Sequence, residues 1–143
     1  MTEKKRADQL AVGETFKTYE LHITPEFNQQ FLEAVEDYQP RYLQETEDGP
    51  PIVHPALLIN HSNITRSPSF YLLPRMAAVH AKEEVEYLNP GRVDKTFRVS
   101  WKVTDVYEKR GRPYQVAEAL IVDEDGVEIL RRTITDTFIS GKE

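Results

Sequence analysis

The sequence predicts an α+β domain in which the helices come early in the chain and an antiparallel sheet comes late. Its length of 143 residues suits one domain. Apolar residues recur at helical spacing between residues 24 and 39, and a more continuous apolar run covers residues 52–61. From residue 96 onward, apolar and polar residues alternate in runs separated by turn sequences. Helices followed by a run of strands are typical of the α+β class.

The N-terminal part of the chain contains two different segments. Residues 1–9 are charged and aperiodic, which predicts a flexible N-terminal tail in front of a domain at residues 10–143. From Gly13 to Ile23 the apolar residues alternate in part with polar ones, and this pattern predicts a first strand.

The next segment has the features of an amphipathic helix. Thr24 can cap it, and Pro25 suits its first position. It should end by Gln39, because Pro40 disfavours helical backbone in the residue before it. The apolar side chains form one stripe, which consists of Phe27, Phe31, Leu32 and Val35.

The remaining elements follow from composition and periodicity. Residues 45–51 have the composition of a loop, and the apolar run after them predicts a buried helix that begins at Pro55. Residues 97–103 alternate strictly and predict a half-buried strand. The acidic turn at residues 123–126 indicates a hairpin, after which residues 127–139 complete a meander.

Composition excludes several classes of function. The formal net charge of −6 and the lack of a basic run argue against nucleic-acid binding. The chain has no cysteine, so disulfides, thiolate nucleophiles and cysteine-based metal sites are excluded. No apolar stretch approaches the roughly 18 residues of a membrane helix, and no apolar signal segment follows the N-terminus. We therefore expect a cytoplasmic protein without a membrane partner.

Polar residues near the two predicted helices are candidates for a site. Asp37 and Glu36 fall in the expected last turn of the first helix, where the helix dipole disfavours negative charge. From the residues alone, Asp37 is either a solvated helix end or a functional carboxylate. His54 and His61 lack the spacing of a metal pair, and no metal site is predicted.

Three local patterns resemble those of the MaoC-like acyl dehydratase/hydratase family. The first is an Asp, a Pro three residues later and, in the family, a His five residues after the Asp; this chain has Asp37, Pro40 and Tyr42. The second is a short apolar segment, a His and a helix, here at residues 52–58, with Pro55 in place of the family's Gly. The third pattern comprises His80 before a strand, the turn Asn89-Pro90-Gly91 and a long alternating meander. The resemblance spans roughly residues 10–140.

This resemblance implies a single hotdog fold, in which an antiparallel β-sheet wraps around a central helix. It implies reversible addition of water across the 2,3-double bond of an acyl thioester, carried by coenzyme A or an acyl carrier protein, with no cofactor. In the family a carboxylate and an imidazole move the protons, and backbone N–H groups at the start of the central helix polarise the thioester carbonyl. It also implies a homodimer or a higher oligomer of dimers.

Carried over residue by residue, the resemblance makes Asp37 the main acid/base group. Tyr42 either donates a hydrogen bond to water or to an enolate, or only fills the pocket, because a phenol is a poor base at neutral pH. His54 matches a structural histidine of the family, and the absence of a histidine at position 42 makes recruitment of His54 or His61 the alternative.

The start of the second helix should contribute to substrate binding. Pro55 has no N–H group, so a donor to the thioester carbonyl would have to be Ala56 or a neighbour. Asn60 and His61 lie further along this helix and are candidates to line the pocket. The predicted site therefore contains Asp37, Tyr42 and His54 as catalytic residues and Pro55, Ala56, Asn60 and His61 as substrate-binding residues.

Three functions remain open at this point. The first is an acyl-thioester hydratase or 3-hydroxyacyl dehydratase with a variant site. The second is a non-catalytic hotdog subunit that binds acyl groups or supports an active partner, which the exchanges at Tyr42 and Pro55 favour. The third is a hotdog thioesterase, against which the spacing from Asp37 to Pro40 argues.

Overall fold

The computed structural model describes residues 4–141. In this range no helix is long and apolar enough to cross a membrane. The helices and strands are, in chain order, β1 (Lys5–Arg6), β2 (Tyr19–His22), α1 (Pro25–Val35), α2 (Pro40–Leu43), α3 (Pro55–Ser62), β3 (Phe70–Tyr71), β4 (Met76–Tyr87), β5 (Thr96–Lys109), β6 (Arg112–Asp123) and β7 (Glu128–Ser140). Helices precede the long strands, as the α+β prediction requires.

Five of the strands form an antiparallel sheet in the order β2-β5-β6-β7-β4. The β5–β6 pair is the longest hairpin and runs from the Phe97–Asp123 pair to the Lys109–Arg112 pair. Two expectations about the strands were wrong in detail. The first strand of this sheet covers only Tyr19–His22, because the preceding residues contact β5 through isolated bonds such as Phe16 N–H to the Trp101 carbonyl. His80 lies inside β4 rather than before a strand.

Helix α3 packs inside the curled sheet and forms the centre of the core. Leu57 and Leu58 of this helix are buried, and they belong to one cluster with the inward-facing residues of β5. The Trp101 indole N–H donates to the Thr65 hydroxyl over 2.7 Å, so the largest side chain of β5 also has a polar partner. The strict alternation over residues 97–103 therefore predicts the buried face correctly. A sheet wrapped around a central helix is the hotdog fold.

Helix α1 ends earlier than its sequence suggests. The Thr24 hydroxyl accepts the Phe27 N–H over 3.1 Å, as predicted for its cap. At the other end, Glu36 adopts a left-handed conformation with φ of 56° and ends the helix after Val35. Asp37 consequently lies beyond the helix, and its placement in the last turn was wrong. Its N–H still donates to the Leu32 carbonyl over 3.0 Å, which attaches it to α1.

The segment before residue 10 packs against the domain within the described residues. Strand β1 pairs in parallel with β3. Ala7 is buried, and its carbonyl accepts a hydrogen bond from the buried Gln115 amide over 2.9 Å. This arrangement differs from the free tail expected for residues 1–9, because a short strand and one small apolar residue find partners that aperiodic composition does not reveal. Residues 1–3 of that tail, and residues 142–143 of the expected domain, lie outside the described residues.

Candidate active site

The structure brings Asp37 and His54 together. Asp37 Oδ2 lies 3.1 Å from His54 Nε2. The carboxylate follows the end of α1, whereas the histidine precedes α3, so the pair joins two segments 17 positions apart in sequence. Both side chains are largely buried but reach solvent, at 24% and 18% exposure. A carboxylate and an imidazole in hydrogen-bond contact can exchange or relay a proton.

The other ring nitrogen of His54 caps helix α3. The Ala56 N–H donates to His54 Nδ1 over 3.1 Å. A nitrogen that accepts a hydrogen bond carries no proton, so the proton of the neutral ring is on Nε2 and is donated to Asp37. The helix cap therefore fixes the tautomer that faces the carboxylate.

Aromatic rings enclose the His54 imidazole. The Tyr42 ring lies 4.9 Å from it and the Phe31 ring 5.2 Å, measured between ring centroids. Tyr42 belongs to the one-turn helix α2 and is buried. The Arg41 guanidinium lies 5.6 Å from the centre of the Tyr42 ring. Tyr42 thus takes part in the site by packing against the imidazole.

The start of α3 offers fewer free backbone donors than its sequence suggests. Pro55 has no N–H, the Ala56 N–H is engaged by His54 Nδ1, and the Leu57 N–H donates to the His54 carbonyl over 3.0 Å. Ala56 is therefore occupied as a donor in this conformation. The physical reason is that a histidine at the cap position supplies its own side-chain acceptor.

A mostly apolar cavity of about 290 Å³ lies beside this pair. Tyr42, Pro55 and Leu58 line one side, and the turn at residues 89–91 lines another. Asp37 and His54 are not among its lining residues, but the Tyr42 ring, which contacts the His54 ring, is. The cavity has the apolar character expected of a site for an acyl group.

Gly91 holds this turn against the helix. A Cβ at this position would approach the Phe97 ring to 3.0 Å and Leu58 to 3.2 Å, so only glycine fits without a shift. Its carbonyl accepts the Val53 N–H over 2.8 Å, next to His54. The Asn89-Pro90-Gly91 turn thus helps to fix the segment that carries the imidazole.

The structure places Asn60 and His61 elsewhere. Both line a shallow groove of about 370 Å³ between α1 and α3, and the His61 ring contacts the Phe27 ring at 5.2 Å. Phe31 borders this groove and its ring also contacts the His54 ring, so Phe31 connects the groove with the Asp37–His54 pair. Across residues 4–141, no three His, Cys, Asp or Glu residues are grouped as metal ligands.

One residue at the centre of the site was missed by the sequence analysis. The side chain of Asn28 is buried in α1 and hydrogen-bonds to the backbone of three residues in two neighbouring segments, and His54 is one of the three. Its position four residues before Leu32 puts it on the buried face of the helix. A polar residue on an apolar face was therefore the available signal.

Comparison with known proteins agrees with the architecture. The model of the family described as FAS1-like, dehydratase domain region, matches residues 10–132. No curated protein sequence matches the chain significantly.

Solved structures of similar shape have low sequence identity to the chain. The MaoC-like dehydratase from Rhodospirillum rubrum is 16% identical with a TM-score of 0.78, over 96% of this chain and 99% of that one. The C-terminally truncated HadBC complex, a 3R-hydroxyacyl-ACP dehydratase from Mycobacterium tuberculosis, is 14% identical with a TM-score of 0.74, over 96% and 99%. The (R)-hydratase from A. caviae involved in PHA biosynthesis is 17% identical with a TM-score of 0.70, over 94% and 100%. These similarities show a shared fold.

Proposed function

The chain belongs to the family of FAS1-like dehydratase domain regions, and we propose that it is an acyl-thioester hydratase or 3-hydroxyacyl dehydratase in which Asp37 transfers the protons and His54 positions its carboxylate. The observation that carries this proposal is the 3.1 Å contact between Asp37 Oδ2 and His54 Nε2. By the resemblance to the MaoC-like family, Tyr42 stands where that family has its catalytic histidine, and in this proposal His54 supplies the imidazole instead.

Asp37 has the chemistry of the proton-transferring group. In hydration it accepts a proton from water as the water oxygen bonds to C3 of the enoyl thioester, and it returns a proton to C2. In dehydration the same carboxylate removes the C2 proton and delivers a proton to the departing C3 hydroxyl, which leaves as water. His54 holds this carboxylate in place through its Nε2 proton, since its Nδ1 is committed to the Ala56 N–H.

The acyl group would occupy the apolar cavity beside Tyr42 and Pro55. Acyl groups bind to apolar surfaces because burial of hydrocarbon is favourable. The carrier would be coenzyme A or an acyl carrier protein, and the structures of similar fold include a 3R-hydroxyacyl-ACP dehydratase and an (R)-hydratase. We also propose that the chain acts as a homodimer or as a higher oligomer of dimers.

The test is hydration of short, medium and long 2-enoyl thioesters by the wild type and by Asp37→Asn. An amide cannot accept the proton, so turnover should fall by about a hundredfold or more. Glu33→Gln is the matched control, because it neutralises an exposed carboxylate of α1. Equal turnover by wild type and Asp37→Asn, with both folded by circular dichroism, would exclude Asp37 from the chemistry.

A second candidate function is a non-catalytic subunit that binds acyl groups or supports an active partner. The observation that favours it is the engaged Ala56 N–H, which leaves Pro55 and Ala56 without a free donor for the thioester carbonyl in this conformation. A wild-type chain that binds enoyl thioesters but neither hydrates them nor releases thiol would support this candidate. Release of thiol from saturated acyl thioesters would instead indicate a thioesterase.

A further inference from the structure

Asn28 is a polar residue on the buried face of α1. Its exposure is 1%, and Leu32, one turn later, is fully buried beside it. Burial of a carboxamide is unfavourable unless its polar atoms have partners, and an apolar residue would fill a packing position at lower cost. The presence of Asn28 therefore calls for an explanation from its hydrogen bonds.

Those bonds reach three residues of the site, which lie in two segments. Asn28 Nδ2 donates to the Tyr42 carbonyl and to the Ile52 carbonyl, each over 3.1 Å. Asn28 Oδ1 accepts the His54 N–H over 3.0 Å. A carboxamide has two donor hydrogens and an acceptor oxygen, and here both kinds of group are used. One planar group thus fixes the backbone of Tyr42, whose ring contacts the imidazole, and of His54 itself.

Helix α1 also carries the other half of the pair. Asp37 follows its left-handed cap and donates its N–H to the Leu32 carbonyl over 3.0 Å. Asp37 and Asn28 are therefore both anchored to α1, and the Asn28 side chain connects that helix to His54. We propose that Asn28 is a positioning residue that sets the distance between Asp37 and His54. The expected effect of Asn28 on turnover rests on the proposed function. Its effect on the contact between Asp37 and His54 does not.

The chemistry of the side chain predicts what each substitution removes. Asn28→Asp keeps an acceptor for the His54 N–H, but an ionised carboxylate cannot donate to the Tyr42 and Ile52 carbonyls. Asn28→Leu removes all three bonds while retaining a side chain of similar size. Thr65→Val is the matched control, because Thr65 is equally buried and its hydroxyl joins Trp101 and Ser62 away from the pair.

The experiment measures two quantities for each variant at a temperature at which Thr65→Val is folded. The first is kcat and KM on an enoyl thioester that the wild type hydrates. The second is the pair of ¹⁵N chemical shifts of the His54 ring, which report the tautomer and are assigned by comparison with His54→Asn. We expect the Asn28 variants to lower kcat by about tenfold to a hundredfold with a smaller change in KM, as for a small misplacement of a reacting group.

The spectrum should change in parallel with the kinetics. Wild type and Thr65→Val should show a protonated Nε2 and an unprotonated Nδ1, whereas the Asn28 variants should show averaged tautomers. A folded Asn28→Leu with the wild-type His54 spectrum would overturn the proposal, as would unfolding of both Asn28 variants under conditions that leave Thr65→Val folded. If the wild type hydrates no thioester, the proposed function fails, and the His54 spectrum still decides the role of Asn28.

Discussion

At the scale of single residues, His54 connects helix capping with proton chemistry. Its Nδ1 accepts the Ala56 N–H and its Nε2 faces Asp37, so each ring nitrogen has a separate task. A proton added to Nδ1 would remove the acceptor of the helix cap. The neutral ring is therefore the state that satisfies both contacts, and this favours Asp37 as the group that accepts the substrate proton.

The two tasks of His54 can be separated by substitution. Asn is a good cap residue, so His54→Asn should keep α3 capped while it removes the ring that faces Asp37. We expect turnover to fall by about tenfold to a hundredfold, since the carboxylate loses its support. His54→Ala should lose similar turnover and, in addition, about 1 kcal/mol of stability with its cap. Urea denaturation and steady-state kinetics measure the two effects, and equal stability of the two variants would contradict the capping role.

Tyr42 contributes a ring rather than a base to the site. Its centroid lies 4.9 Å from that of His54, and it lines the neighbouring cavity. Tyr42→Phe keeps this ring contact and removes only the hydroxyl, so we expect it to retain most of the wild-type turnover. Tyr42→Ala should lower both turnover and stability, because truncation of a buried aromatic residue costs about 3–5 kcal/mol. A large loss of kcat in Tyr42→Phe would instead assign the hydroxyl a role as donor.

At the scale of helices and strands, the spacing of apolar residues in the sequence predicted the features that depend on local interactions. The buried start of α3 and the alternating residues around Trp101 were predicted, because each depends on which face of an element meets the core. The predicted stripe of α1 was correct except for Val35, which is 48% exposed at the end of the helix. The end of α1 was not, because Glu36 is an unusual residue for a left-handed cap and Pro40 was the only visible stop signal. Because α1 ends after Val35, Asp37 lies beyond the helix.

The site itself depends on contacts between distant residues. Motif spacing identified Asp37 and His54 separately, but nothing local shows that segments 17 positions apart meet at 3.1 Å. The resemblance directed attention to Tyr42 as the second group, and Asn28 was missed because its neighbours make α1 look like an ordinary amphipathic helix. Side-chain hydrogen bonds across segments could be read only from the fold.

The packing of the N-terminal segment can be tested by the pH dependence of the protein's stability. Glu14 accepts hydrogen bonds from Lys5 Nζ and from the Ala11 N–H, and these contacts, the Lys5 bond first, hold the pKa of Glu14 below its ordinary value of 4.5. A carboxylate with a lowered pKa in the folded state stabilises it above pH 4.5, and this contribution disappears as the pH falls through the lower folded value.

Glu14→Gln should therefore destabilise the protein at neutral pH and have no effect in acid. The expected cost is below about 1 kcal/mol, since exposed ion pairs contribute little. Glu20→Gln, an exposed carboxylate of β2, is the matched control and should be neutral throughout. Urea denaturation at several pH values measures the free energy of unfolding of each variant. A destabilisation by Glu14→Gln that persisted in acid would show that the ionised Glu14 carboxylate is not its cause.

At the scale of the whole molecule, the five-stranded sheet has one long edge. Strand β4 spans twelve residues, pairs with β7 on one side and, within residues 4–141, has no neighbour on its other side. Most of its residues are exposed. A long open edge presents unpaired backbone groups that favour addition of another strand, and a second copy of the same edge is a self-complementary partner.

We therefore expect a symmetric dimer that pairs through β4, with a mass by light scattering of twice the 16.6 kDa chain at micromolar concentration. Val79 of β4 is 39% exposed, and Val79→Lys would place a charge on this edge strand, which should shift the mass towards the monomer. Val127→Lys is the matched control, because Val127 is 40% exposed but lies in the turn before β7. A wild-type monomer would exclude the dimer outright. A dimer that Val79→Lys and Val127→Lys leave equally intact would move the interface away from β4.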